Sequence, residues 1–122
     1  MEEYTDEMIT AVWEKGIIQQ GFDPNVARQD ACGAWILRSQ YGNTDSSFGW
    51  EIDHVYPRSL GGLTIMENLR PMQWQNNRSK GDDYPSYASS VKAVGNENQH
   101  IEGQYTVYKE LQSQLSQLFH IK

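Results

Sequence analysis

Imidazole titrates near pH 6.5, so the three histidines of this 122-residue chain, His54, His100 and His120, are its natural proton carriers at neutral pH. His100 lies in a polar stretch and His120 close to the C-terminal end, and both read as surface residues. His54 differs because it directly follows a second ionisable residue, Asp53, and the pair falls between a hydrophobic strand candidate and the loop containing Gly61-Gly62. No Lys-Ser or Lys-Thr follows those glycines at P-loop spacing, so they read as a turn rather than a phosphate cradle. The single cysteine, Cys32, excludes an internal disulfide and a zinc site built mainly on thiolates, and it fits a reducing compartment.

The formal net charge of −6 argues against a protein that lives by bulk attraction to nucleic acid, which makes the distribution of charge more informative than its sum. Residues 1 to 30 carry seven acids against two bases. Residues 50 to 83 mix the signs, with Arg58, Arg70, Arg78 and Lys80 among Glu51, Asp53, Glu67, Asp82 and Asp83. A divalent cation on Asp53 would turn that middle region locally positive. Hydrophobic residues make up 38% and the ten glycines add about 8%, a total ordinary for a soluble folded domain. No apolar run approaches the roughly 18 residues of a membrane helix, and the acidic start lacks the basic character of a secretory signal. The expectation is a cytoplasmic protein with no membrane partner.

The elements that must position His54 are legible in part. Thr5 followed by Asp6 and Glu7 reads as a helix cap with acids in the first turn, and Met8, Ile9, Val12 and Trp13 form the apolar stripe before a stop at Gly16. Asp23-Pro24 predicts a second short helix running toward Asp30. Ala34 to Arg38 and Trp50 to Tyr56 read as strands, with Trp50, Ile52 and His54 on one face and Asp53 and Val55 on the other. Pro57 to Glu67 is a loop, Asn68 to Met72 a short strand with Pro71 at an edge, and Gln73 to Lys80 a helix ending at Gly81. A hairpin turning at Gly95-Asn96 and a final helix capped by Thr106, with Val107, Leu111, Leu115 and Leu118 on its apolar face, complete one α+β domain without repeats or linkers.

The run Glu51-Ile-Asp-His-Val-Tyr-Pro-Arg-Ser-Leu-Gly-Gly, then Glu67-Asn68-Leu-Arg-Pro, then Gln75-Asn76-Asn77-Arg-Ser-Lys80-Gly resembles the HNH endonuclease family. The matching stretch spans about Trp50 to Asp82, and Arg28-Gln-Asp-Ala-Cys-Gly-Ala-Trp-Ile with Tyr41-Gly-Asn also looks like small HNH proteins, extending the likeness to roughly Arg28 onward. The resemblance implies a ββα-metal (His-Me finger) motif at about 50–82 within a single domain over 1–122, an N-terminal helical segment at 1–30 and a C-terminal helix at about 106–119. Position by position, His54 matches the general base, Asn68 the central asparagine that orients the imidazole, Asn77 the last motif position and Asp53 the metal ligand beside the base.

The resemblance further implies a hydrolase acting on phosphodiester bonds, with nucleic acid, and DNA in particular, as substrate. His54 would take a proton from water. Asp53 and Asn77 would offer hard oxygens to one divalent cation, Mg²⁺ or Mn²⁺. Arg58, Arg70, Arg78 and Lys80 would hold phosphates, with Arg78 and Lys80 foremost because they lie on the helix that carries Asn77. Many HNH proteins add a structural zinc on two Cys-x-x-Cys pairs; the positions here read Cys32 with Trp35 and Gln73 with Asn76, so no structural zinc is expected and Trp35 and Trp74 are candidates for the packing that replaces it. The acidic balance also motivates a catalytically silent ββα module for nucleic-acid or protein binding, and a toxin or defence effector would use the same chemistry. Weak affinity for bare duplex DNA, with a protein partner or a dimer supplying the targeting, is expected of so small and acidic a chain.

Overall fold

The computed structural model describes residues 4–121. Helix α1 (Asp6–Trp13) begins as its sequence dictates: the Thr5 hydroxyl accepts from the Met8 N–H, Asp6 and Glu7 occupy the first turn, and Val12 and Trp13 are buried. Two short strands, β1 (Ala27–Gln29) and β2 (Trp35–Leu37), pair antiparallel. Then come β3 (Trp50–His54), β4 (Leu69–Gln73) and α2 (Trp74–Lys80), a strand, strand and helix in direct succession. The chain closes with a long hairpin, β5 (Ser86–Val94) and β6 (Glu97–Thr106), and helix α3 (Lys109–Phe119). Among the described residues this makes a small α+β fold with three separate two-stranded sheets, and no helix is long and apolar enough to cross a membrane.

The β3–β4 pair is the centre of the molecule because both of its faces are covered. Trp50, Ile52 and Leu69 join Val12, Trp13 and Ile36 in one apolar cluster, while Val55 and Met72 join Cys32, Tyr87, Val107 and Leu115 in another. The alternation expected over Trp50 to Tyr56 holds, with Trp50 and Ile52 in the first cluster and Val55 in the second. Helix α2 leaves β4 without a loop, capped by the Gln73 side chain, which accepts from the Gln75 and Asn76 N–H groups. Pro71 is tolerated because β4 pairs with β3 alone and needs no N–H on its other edge.

Three local expectations are corrected. Asp23-Pro24 opens a single turn, not a helix: Val26 and Ala27 both donate to the Asp23 carbonyl, and the chain then enters β1, where Gln29 exchanges backbone hydrogen bonds with Ile17. Strand pairing claims the very N–H groups that a continuing helix would need, so helix in the N-terminal segment is confined to α1. Thr106 ends β6 instead of capping a helix, its hydroxyl bonded to Ser86 at 2.8 Å, and α3 starts three residues later. Leu115 and Val107 are buried as the periodicity implied, but Leu118 is exposed.

A buried hydrogen-bond network joins the turn at Cys32 to the start of α2. One oxygen of Asp30 accepts from the Cys32 and Ala34 N–H groups, and the other from the Gln73 N–H and the Asn76 side-chain amide, all at 2.9–3.1 Å. Asn76 in turn accepts from the Ser90 and Val91 N–H groups on β5. Asp30, Gln73 and Asn76 are all at most 1% exposed. Burial pushes the Asp30 carboxyl up from its ordinary range while these donors pull it back. Trp35 is buried as expected, whereas Trp74 is half-buried, donating its indole N–H to Ser46 and lying under Arg78.

Asp30→Ala strands four N–H donors in the interior. Each buried unsatisfied donor costs on the order of 1–3 kcal/mol, so the substitution should lower the unfolding free energy by at least about 3 kcal/mol, read from the urea midpoint at unchanged slope.

Candidate functional site

His54 stands at the last residue of β3, opposite Leu69, where the strand pair ends and the chain turns into the loop of residues 55–68. Its Nε2 lies 2.8 Å from the Thr64 hydroxyl. Asn68, expected to hold the imidazole directly, acts one step away. Its Oδ1 accepts from the Tyr56 N–H at 2.8 Å, and its Nδ2 donates to the Tyr56 and Leu63 carbonyls at 3.0 Å. The buried amide thus fastens both ends of the loop, and the loop delivers Thr64 to His54. Gly62 is required there: a Cβ at this position would sit 1.8 Å from the Tyr56 carbonyl oxygen and 3.0 Å from Asn68 Nδ2, so no side chain fits while Asn68 holds its partners.

His54 and Asn77 line one open groove of about 640 Å3 together with Glu51, Tyr41, Arg58 and Arg78. Across it, the Asn77 side-chain amide donates to Glu51 Oε1 at 3.2 Å, and Arg78 grips the same carboxylate with Nη2 at 2.9 Å from Oε2. Asn77, Arg78 and Glu51 meet because α2 follows β4 without a break and folds back over β3. The groove therefore collects an imidazole, an amide, a carboxylate and two guanidinium groups, with Arg58 and Arg78 on the exposed rim.

Asp53 faces elsewhere. Its Oδ2 receives the Arg70 Nε at 2.9 Å and its Oδ1 lies 3.3 Å from the Lys80 ammonium, and its side chain is 4% exposed. Arg70 stands directly opposite Asp53 in the β3–β4 register, so the pair is a cross-strand contact, and Lys80 reaches in from the far end of α2. Both cations lie over the Tyr87 ring, at 5.2 and 5.9 Å from its centre. Lys80 also donates to the His54 carbonyl at 3.2 Å, tying the helix to the strand end that carries the imidazole. Burial pulls the Lys80 ammonium below its ordinary range and Asp53 raises it again.

Of the residues singled out in sequence, then, His54, Asn77, Arg58 and Arg78 surround the groove, while Asp53, Arg70 and Lys80 form a buried ion triad and Asn68 anchors the loop. The expectation that Lys80 and Arg70 hold phosphates meets a plain obstacle: their charged ends point inward, toward a carboxylate, at side-chain exposures of 0% and 12%. His100 and His120 are exposed, as expected. Cys32 is no nucleophile, since burial first and the nearby Asp30 second push its thiol up to about 12. Among the described residues, no three His, Cys, Asp or Glu side chains gather as a metal-binding cluster.

Sequence reading missed Glu51, Thr64 and Asp30. Glu51 shares Asp53's parity on β3, a usable signal, and Asp30 opens the Asp-Ala-Cys-Gly turn typical of a side chain bonding its own following N–H groups. Thr64 carries no signal, being one hydroxyl among several in loop sequence. Compared with family models, with curated proteins and with solved structures, the chain matches none.

The two basic residues at the end of α2 should separate cleanly by mutation. Lys80→Ala leaves Asp53 with one buried cation and should cost about 3–5 kcal/mol, whereas Arg78→Ala removes an exposed pair worth at most about 1 kcal/mol. Urea unfolding of the two variants beside wild type measures the difference, and equal costs would show that the triad contributes no more than a surface pair.

Proposed function

We propose that this chain is a metal-dependent endonuclease of the HNH type, hydrolysing phosphodiester bonds of DNA with His54 as general base. The observation that carries the proposal is the convergence of the His54 imidazole and the Asn77 amide on one open groove rimmed by Arg58 and Arg78. Phosphodiester hydrolysis needs a base for the attacking water and positive charge around the phosphate. Both are available there within a strand, strand and helix succession like that of the resembling family.

In this mechanism His54 receives a proton from the attacking water, and the Thr64 hydroxyl, 2.8 Å from Nε2, orients the ring. Asn68 acts as a positioning residue, because the loop that carries Thr64 depends on its three backbone hydrogen bonds. Arg58 and Arg78 bind the phosphates that flank the scissile bond, and as rim charges they set affinity and salt dependence more than rate.

The oxygen donors beside His54 suit Mg²⁺ or Mn²⁺: the Asn77 amide and a carboxylate from β3 are hard ligands, too few to complete a shell, which leaves positions for water and phosphate. Such an ion supplies neutralisation of the charge that builds on the phosphate and on the departing 3′ oxygen. The family assigns the carboxylate to Asp53, which would have to exchange Lys80 for the cation. With a net charge of −6, the chain is expected to bind bare duplex DNA weakly and to draw its targeting from a protein partner or a second copy.

Purified protein should nick or linearise supercoiled plasmid with Mg²⁺ or Mn²⁺ and lose this activity with a chelator. His54→Ala should reduce the rate by on the order of 10²–10⁴ while circular dichroism stays unchanged. Cleavage by His54→Ala at the wild-type rate would overturn the assignment of the base.

A further inference from the structure

Two carboxylates on β3 are candidates to share a cation with Asn77, and they differ in what holds them. Asp53 has both oxygens engaged by buried cations, and freeing it means stripping Lys80, with 0% side-chain exposure, of the carboxylate that compensates its charge. Breaking a buried pair in that way is strongly destabilising, because it leaves an uncompensated charge in the interior. Glu51 opens onto the groove, 24% exposed, and its ionic partner is Arg78, itself 60% exposed. An exposed pair of that kind is weak, being screened by solvent, and yields readily to a divalent ion.

The spacing agrees. Glu51 Oε1 lies 3.2 Å from the side-chain amide nitrogen of Asn77, and a half-turn of the amide puts its oxygen in the same place. Two ligands at right angles on an octahedral ion with bonds of about 2.1 Å are about 3.0 Å apart, so Glu51 and Asn77 already stand at the length of one coordination edge. Both line the groove that His54 lines, and Asp53 does not.

From this we infer that Glu51, and not Asp53, is the carboxylate that binds the divalent cation together with Asn77. The inference rests on the metal-dependent endonuclease assignment for its biological meaning, but not for its geometry. In it, Arg78 leaves Glu51 when the ion arrives and is released toward the phosphate, so that one side chain serves both states of the site. Asp53 keeps Arg70 and Lys80, and through Lys80 the end of β3, in position.

The test is Mn²⁺ binding, read as loss of the free-ion electron paramagnetic resonance signal during titration of wild type, Glu51→Gln and Glu51→Asp. Glutamine keeps an acceptor for Asn77 and Arg78 and removes only the charge, so a purely structural Glu51 would leave Mn²⁺ affinity intact. The expected result is at least a tenfold loss of affinity in Glu51→Gln with the thermal midpoint within about 2 °C, and a smaller loss in Glu51→Asp. Affinity within threefold of wild type in Glu51→Gln overturns the assignment, as does a wild-type protein that takes up no Mn²⁺ at millimolar concentration. Plasmid cleavage by the same preparations separates the two claims: wild-type cleavage with an unaffected Glu51→Gln affinity removes Glu51 alone, and Glu51-dependent binding without any cleavage removes the endonuclease and leaves the metal site.

Discussion

A single buried carboxylate organises this small protein. Asp30 collects N–H donors from its own turn, from the end of β4 and from the first turn of α2, and the Asn76 amide extends the same network to β5. Charge-assisted hydrogen bonds are the strong ones, and four of them converge on one group that water does not reach. The network fixes where α2 begins and how it lies over β3. Everything in the groove depends on that placement, since Asn77 and Arg78 meet Glu51 only if the helix folds back at this angle. One carboxylate and the Asn76 amide thereby join the turn at Cys32 to the start of α2 and to β5.

A second buried charge centre lies close by, and it has a different task. Asp53, Arg70 and Lys80 come from three elements, and the low dielectric around them makes each dependent on the others. Two cations face one anion there, and the excess charge lies on the faces of Tyr87 and against the His54 carbonyl. The triad thereby secures the end of β3 from below, while Asn68 and Gly62 secure the loop above it. Between these two supports the imidazole emerges.

Charge is unevenly distributed in this acidic chain. Among the described residues that line the groove the one acid is Glu51, and the rim holds Arg58 and Arg78. The total governs solubility and long-range attraction, and the rim governs what happens on contact.

By itself the sequence determined those features whose causes are local. Thr5 with its acids starts α1, Gln73 to Gly81 bounds α2, Gly95-Asn96 turns the last hairpin, and alternation from Trp50 to Val55 directs apolar residues to two clusters. The motif spacing likewise singled out His54 and Asn77, which do share a groove. What the tertiary structure alone decided is where strands and charges find partners. Asp23-Pro24 looks like a helix start until β1 takes its N–H groups, and Thr106 looks like a cap until it is paired across the hairpin. Asp53 reads as an open carboxylate until Arg70, 17 residues on, stands across from it. Helix caps and turns are settled within a few residues, where sequence order and spatial order coincide. An ion pair is settled by register and packing between segments far apart in the chain, and that geometry exists only once the core has formed.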